Sequence, residues 1–194
     1  MLKYYARSFL PWIVLAVASG VDNRVGALGG LLTSLVLLAA DRRAGRQVDE
    51  VILDLSTAGF MAVFAAWALA APDSPVLDYG AALAMVWLAA TAWLSLALRR
   101  PFTLGIARRS VSADIARLPA FIRINVVVTT VWAVGFTCEA VALTLVQHNA
   151  PHNVAAMVVC KVGIVGAAAL FTARYPEYAR RRAVAAADTL EEIA

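Results

Sequence analysis

Six long apolar runs, separated by short polar connections, constrain this chain more than any other feature. They cover residues 8–21, 25–41, 51–71, 79–98, 124–147 and 153–173, with ends uncertain by about two residues or more. Apolar runs of this length cross a lipid bilayer as helices, because a helix satisfies all its backbone hydrogen bonds within one segment. The alternation typical of half-buried strands is absent. We therefore predict an all-α transmembrane bundle of six spans, forming one membrane domain over residues 1–194.

The composition supports lipid as the main solvent. Hydrophobic residues make up 62% of the chain and charged residues 15%, whereas soluble domains average roughly 45–50% and about 25%. The net charge of +4 would suit nucleic acid in a soluble protein. Here the basic residues lie between apolar runs, so membrane lipids are the expected partners and nucleic acid is not.

Basic residues alternate between the connections and so predict the orientation. They are concentrated at the N-terminus, in every second connection and in the C-terminal tail: Lys3, Arg7, Arg42, Arg43, Arg46, Arg99, Arg100, Arg108, Arg109, Arg117, Arg123, Arg174, Arg180, Arg181 and Arg182. Because basic connections stay in the cytoplasm, both termini are predicted to be cytoplasmic. We expect a multi-pass membrane protein. The first run also resembles a secretory signal ending at Ala16-Val17-Ala18; we expect it to be retained, and cleavage would leave five spans.

The connection 103–123 is the longest polar segment. Leu104, Ile106 and Val111 recur at roughly helical spacing among charged residues, which predicts an amphipathic helix on the cytoplasmic surface. The helix is either a simple connector or a docking site for a partner or an anionic lipid. The residues assigned to that contact are Arg99, Arg100, Arg108 and Arg109.

Glu139 and Lys161 are the two ionisable residues deepest within predicted spans, where a charge is costly and often functional. They are equally far from the turn near residue 150. Antiparallel helices therefore place them at the same depth, roughly 12 Å from the outer surface. One interpretation is a structural ion pair; the alternative is a proton relay or the polar part of a transport pocket. Sequence separation fixes their depth but not their rotation.

Weaker polar positions lie near the inner ends of two other runs. Asp54 begins the third run, and Asn125 and Thr129 begin the fifth at matching depth, which predicts an interhelical polar cluster. His148 and His152 flank Pro151 and lack a third ligand, so no metal is expected. No sequence motif indicates a cofactor or a catalytic residue.

Small residues at four-residue spacing indicate close helix packing. Gly26 and Gly30 form a GxxxG pair in the second run, and Gly163 with Ala167 forms a looser version in the sixth. Such pairs let two helices approach closely, either within one chain or in a homo-oligomer.

Short motifs spread over most of the chain resemble the bacterial intracellular septation protein A family. The matching segments are Phe9-Leu10-Pro11, Asp22, Asp41-Arg42-Arg43, Arg100-Pro101-Phe102, Leu118-Pro119 and Phe121-Ile122-Arg123-Ile124-Asn125. The family usually has tryptophan where this chain has Phe121. The resemblance implies a small inner-membrane protein of cell-envelope synthesis and division that contacts envelope-synthesis proteins, and it implies no catalytic residues.

Three functions are compatible with these features. The first is a non-enzymatic protein of cell-envelope maintenance or division that acts through protein or lipid contacts. The second is a small oligomeric transporter or channel that uses Glu139 and Lys161. The third, a lipid-acting membrane enzyme using Asp54 and Asn125, lacks a visible nucleophile and base.

Overall fold

The computed structural model describes residues 2–46, 48–151 and 153–193, so His152 lies outside the described residues. Side chains are described for residues 7–46, 48, 50–151, 153 and 155–182. The described chain is helical. The helices are α1 Leu2–Ala18, α2 Asn23–Arg43, α3 Ile52–Ala70, α4 Gly80–Ala97, α5 Phe102–Arg108, α6 Ala113–Arg117, α7 Pro119–Asn149 and α8 Val154–Ile193. Short 3₁₀ turns at Val48–Glu50 and Pro75–Tyr79 precede α3 and α4.

Five described helical segments are long and apolar enough to cross a membrane. They are Asn23–Arg43, Ile52–Ala70, Pro75–Ala97, Pro119–Asn149 and Ala155–Arg182. The apolar part of α1, Arg7–Ala18, is shorter than these. The prediction of an all-α membrane bundle is thus confirmed at this level. The sixth span and the cytoplasmic termini stay predictions.

The core forms where α1, α2 and α3 pack side by side and where α7 packs between α4 and α8. Phe60 of α3 lies at its centre, with ring centroids 5.0 Å from Trp12 and 5.8 Å from Trp87. Phe9 of α1 stacks on Trp132 of α7 at 5.4 Å. Aromatic rings at these separations add to the attraction from buried area alone, so they join the two groups of helices.

The GxxxG pair of α2 packs within this chain. A Cβ on Gly26 would lie 2.7 Å from the backbone nitrogen of Ser19, and one on Gly30 would lie 3.3 Å from the carbonyl oxygen of Pro11. These contacts show that α1 and α2 approach too closely for larger residues. A Cβ on Gly163 would meet no atom within 4 Å, so the second small-residue pair packs against no described helix.

Four tryptophans tie neighbouring helices together through hydrogen bonds. Each indole Nε1–H donates to a hydroxyl oxygen on another helix; the pairs are Trp12–Thr57 at 3.1 Å, Trp87–Ser56 at 2.9 Å, Trp93–Thr137 at 3.2 Å and Trp132–Thr172 at 2.9 Å. In lipid such a bond contributes about 0.6 kcal/mol on average. The bonds also fix the rotation of each helix against its neighbour.

The single surface helix predicted for 103–123 is not formed. The segment is divided into α5, α6 and the start of α7. Every residue from Phe102 to Ala107 is buried, whereas residues 112–115 and 117–120 are exposed. Thr103 and Ala107 are buried together with Leu104 and Ile106, so α5 is buried on all sides. Thr103 Oγ1 lies 2.7 Å from Thr129 Oγ1 and donates to or accepts from it. A helical period alone cannot distinguish a surface helix from one that is buried all round.

Candidate functional site at the arginine-rich end

A buried charge network lies at the end of the bundle where α1, α3 and α7 begin and α2 and α4 end; we call this the arginine-rich end. The side chain of Arg109, just after α5, is fully buried. Its Nη2 donates to Asp54 Oδ2 at 3.0 Å and to the carbonyl oxygen of Glu50 at 2.6 Å. The same nitrogen lies 3.7 Å from Asp41 Oδ2. One guanidinium therefore joins α2, α3 and the segment after α5.

A second arginine completes the network. Arg7 Nη1 donates to Asp41 Oδ1 at 2.7 Å, and its Nη2 donates to the carbonyl oxygen of Leu37 at 3.1 Å. Two guanidinium groups thus balance two carboxylates, which lowers the cost of holding charge away from water. The balance is incomplete at the atomic level. Within the described part of the chain, Arg109 Nε and Nη1 and Asp41 Oδ2 are buried and have no hydrogen-bond partner.

This network corrects the prediction for Arg109, which was assigned to a surface contact with lipid or a partner. The residue lies inside because Asp41 and Asp54 provide buried counter-charges. Sequence reasoning singled out Asp54 but missed the roles of Asp41 and Arg7. The available signal was their position, since all four residues lie at the predicted inner ends of apolar runs or in the inner connection.

The predicted cluster of Asp54, Asn125 and Thr129 is divided between two places. Asp54 binds Arg109, as described above. Thr103 Oγ1 donates to the carbonyl oxygen of Asn125 at 3.0 Å and contacts Thr129, while Asn125 Nδ2 donates back to the carbonyl oxygen of Phe121. Both groups are buried and hydrogen-bonded, and among the described residues no hydrogen bond joins one group to the other.

The other three predicted contact arginines surround a cavity of about 630 Å³ at the same end. Arg99 and Arg100, directly after α4, are exposed, and Arg108 is half-buried. Among the described residues, neither Arg99 nor Arg100 has an ion pair or a side-chain hydrogen bond. Val48, Ile52 and Leu104 also line the cavity, and their side chains form its apolar wall. The arrangement can hold an anionic group against an apolar surface.

The expected direct ion pair between Glu139 and Lys161 is not formed. No N–O distance between them falls within 4.0 Å, although the two charges interact electrostatically. Glu139 is 1% exposed, and neither of its carboxylate oxygens has a hydrogen-bond partner in the described structure. Glu139 belongs to the buried stripe of α7 with Trp132 and Phe136, whereas Lys161 lies on a half-exposed face of α8. The rotation of α7 and α8 about their own axes, which sequence separation does not fix, keeps the two side chains apart.

Comparison with known proteins gives no relative. No family model, no curated protein sequence and no solved structure matches the chain. The resemblance to the septation protein A family therefore stays a prediction, and the functional argument rests on the residues of this chain.

Proposed function

We propose that this chain is a non-enzymatic integral membrane protein of cell-envelope maintenance or division, located in the bacterial inner membrane. It acts through lipid or protein contacts at its arginine-rich end. One contrast carries the proposal: Arg109, Asp41 and Asp54 inside that end form ion pairs with one another, whereas Arg99 and Arg100 are exposed and unpaired among the described residues. The site is built to bind an external anionic group and offers no constellation for chemistry.

Photo-crosslinking in native membranes tests the contact. A benzophenone amino acid replaces Leu98, which is 63% exposed beside Arg99, or Val21, which is 88% exposed at the opposite end. Both positions hold apolar residues, so neither replacement removes an arginine. We expect Leu98 to give a discrete protein adduct or anionic-lipid adducts above the bulk share of those lipids. Identical adducts from both positions would contradict the proposal.

Transport by an oligomer is a second candidate, favoured by one observation. Glu139 is a fully buried carboxylate with no hydrogen-bond partner in the described structure, and unpaired charges within spans often mark ion or proton paths. In proteoliposomes, this function predicts a proton or solute flux that Glu139→Gln abolishes and that Glu177→Gln, at an exposed glutamate, leaves unchanged. Equal flux from all three proteins would exclude a role for Glu139.

The lipid-acting enzyme has no comparable support. It requires Asp54 and Asn125 to act together, and these residues lie in separate hydrogen-bonded groups. We therefore do not propose it.

A further inference from the structure

The cavity beside Arg99 combines charge and apolar surface in a way that specifies its ligand. It is lined by residues at the start of α3, after the end of α4 and in α5. Arg99 and Arg100 carry charges that no described residue neutralises. A guanidinium group pairs best with the oxygens of a phosphate or carboxylate, because its donors match their geometry.

The backbone at Arg99 is strained, which is a second observation at the same place. Arg99 has a φ of 56°, in the left-handed region. Its N–H donates to the carbonyl oxygen of Leu96 and that of Arg100 to Ser95, which is the Schellman ending of a helix. Glycine usually occupies this position, because other residues adopt the conformation at a cost of roughly 1 kcal/mol or more. The strained residue itself lines the cavity, and backbone strain of this kind is concentrated at functional sites.

The apolar wall indicates that the ligand is an amphiphile and not a free anion. Val48 is 66% exposed, and Ile52 and Leu104 continue the apolar surface into the cavity. A soluble phosphate ion would gain nothing from these side chains, whereas the first carbons of an acyl chain would bury apolar area against them. The volume of about 630 Å³ lies within the usual range for small-molecule pockets.

From these observations we propose that the cavity binds the phosphate headgroup of an anionic membrane lipid. Arg99 and Arg100 contact the phosphate oxygens, and Val48, Ile52 and Leu104 contact the upper acyl chain. The inference deepens the proposed function and rests on it for the contact at the arginine-rich end. It assigns the contact at the arginine-rich end to a lipid instead of a protein.

Lipid retention by the purified full-length chain tests this proposal. The detergent-solubilised protein is titrated with phosphatidylglycerol, with phosphatidylcholine and with inorganic phosphate, and bound lipid is counted by native mass spectrometry. The test variant is Arg99→Gln with Arg100→Gln. The matched control is Arg42→Gln with Arg43→Gln, an adjacent pair of exposed arginines at the same end that does not line the cavity.

We expect phosphatidylglycerol to bind more tightly than phosphatidylcholine and to resist displacement by millimolar phosphate. The test variant should bind it on the order of tenfold more weakly, and the control should bind as the parent does. Equal binding by the test variant, or an equal loss in the control, would overturn the proposal. Full displacement by inorganic phosphate would instead assign the site to a free anion.

Folding of the test variant is checked by its melting temperature. Arg99→Gly, which removes one charge and suits the left-handed backbone, provides a second measurement that does not depend on the double variant. It should also weaken phosphatidylglycerol binding. Unchanged phosphatidylglycerol binding by the test variant, together with loss of envelope function in cells, would remove this inference and leave the proposed function standing through protein contacts.

Discussion

Arg109 Nη2 lies 3.0 Å from Asp54 Oδ2, across 55 residues of chain and inside the bundle. The contact joins the segment after α5 to the start of α3, so α5 is held among the spans instead of on the membrane surface. Because the Arg109 side chain is fully buried, this contact should matter more for folding than an exposed ion pair would.

Replacement of Arg109 should strongly destabilise the protein. Arg109→Met leaves the carboxylate of Asp54 buried without its partner, and removing one member of a buried pair costs about 3–5 kcal/mol. The free energy of unfolding in detergent measures the loss. Arg43→Met, at an exposed residue of the same end, should change it by less than about 0.5 kcal/mol.

The same network predicts rescue by removal of the opposing charge. The double variant Arg109→Met, Asp54→Asn should recover part of the lost stability, because the carboxylate that faced Arg109 is then neutral while Asp41 keeps its ion pair with Arg7. A double variant less stable than Arg109→Met would contradict the electrostatic account of the network.

Alanine at Gly26 should destabilise the α1–α2 contact. Its Cβ would approach the Ser19 backbone nitrogen to 2.7 Å and the Leu15 carbonyl oxygen to 2.9 Å, so the two backbones must separate at a cost of about 1–3 kcal/mol. Gly163→Ala is the matched control, since its Cβ meets nothing within 4 Å. Thermal unfolding in detergent should show a lower melting temperature for Gly26→Ala alone. Equal effects would mean that α1 and α2 do not pack as described.

Glycine at position 99 should relieve backbone strain. Arg99→Gly removes the side chain that makes the left-handed conformation costly. This gain in stability should offset the loss caused by the greater conformational freedom of glycine in the unfolded chain. We expect the melting temperature to stay equal or to rise. Arg100→Gly, one residue on and outside the left-handed region, should lower it. A clear loss of stability in Arg99→Gly would contradict the strain argument.

Glu139 and Lys161 should be coupled more weakly than a direct ion pair. Since their charges interact but no N–O contact within 4.0 Å joins them, the effects of Glu139→Gln and Lys161→Gln on unfolding free energy should add to within about 1 kcal/mol. Glu139→Gln alone should not destabilise, because its carboxylate oxygens have no described hydrogen bond to lose. Strong rescue in the double variant would restore the ion-pair interpretation.

The spans were predictable because each is a long apolar run, and such a run can be recognised without knowing which helices pack against it. The predicted run 51–71 matches α3, Ile52–Ala70, and the run 79–98 matches α4, Gly80–Ala97. The close packing at Gly26 was also predictable as a pattern. Whether its partner was within the chain or in a second copy required the structure.

The site residues were harder to predict because their roles depend on rotation and on long-range contacts. Arg109 is surrounded by other arginines in the sequence, so it could not be distinguished from exposed Arg99 and Arg100 without knowing that Asp41 and Asp54 approach it. Glu139 and Lys161 have the predicted spacing from their turn, but the faces on which they lie follow from the packing of α7 and α8. The depth of a residue in its span follows from its position in the sequence, whereas the direction in which its side chain points does not.

Complementation in cells tests the central claim most directly. In a strain lacking this protein, growth in low-osmolarity medium and cell length report on the envelope, and each variant is expressed at the level of the parent. We predict an envelope defect that is restored by Glu139→Gln and by the Arg42→Gln, Arg43→Gln control, and is not restored by Arg99→Gln with Arg100→Gln. Restoration by the Arg99, Arg100 variant together with failure of Glu139→Gln, or no defect in the deletion strain, would contradict the account.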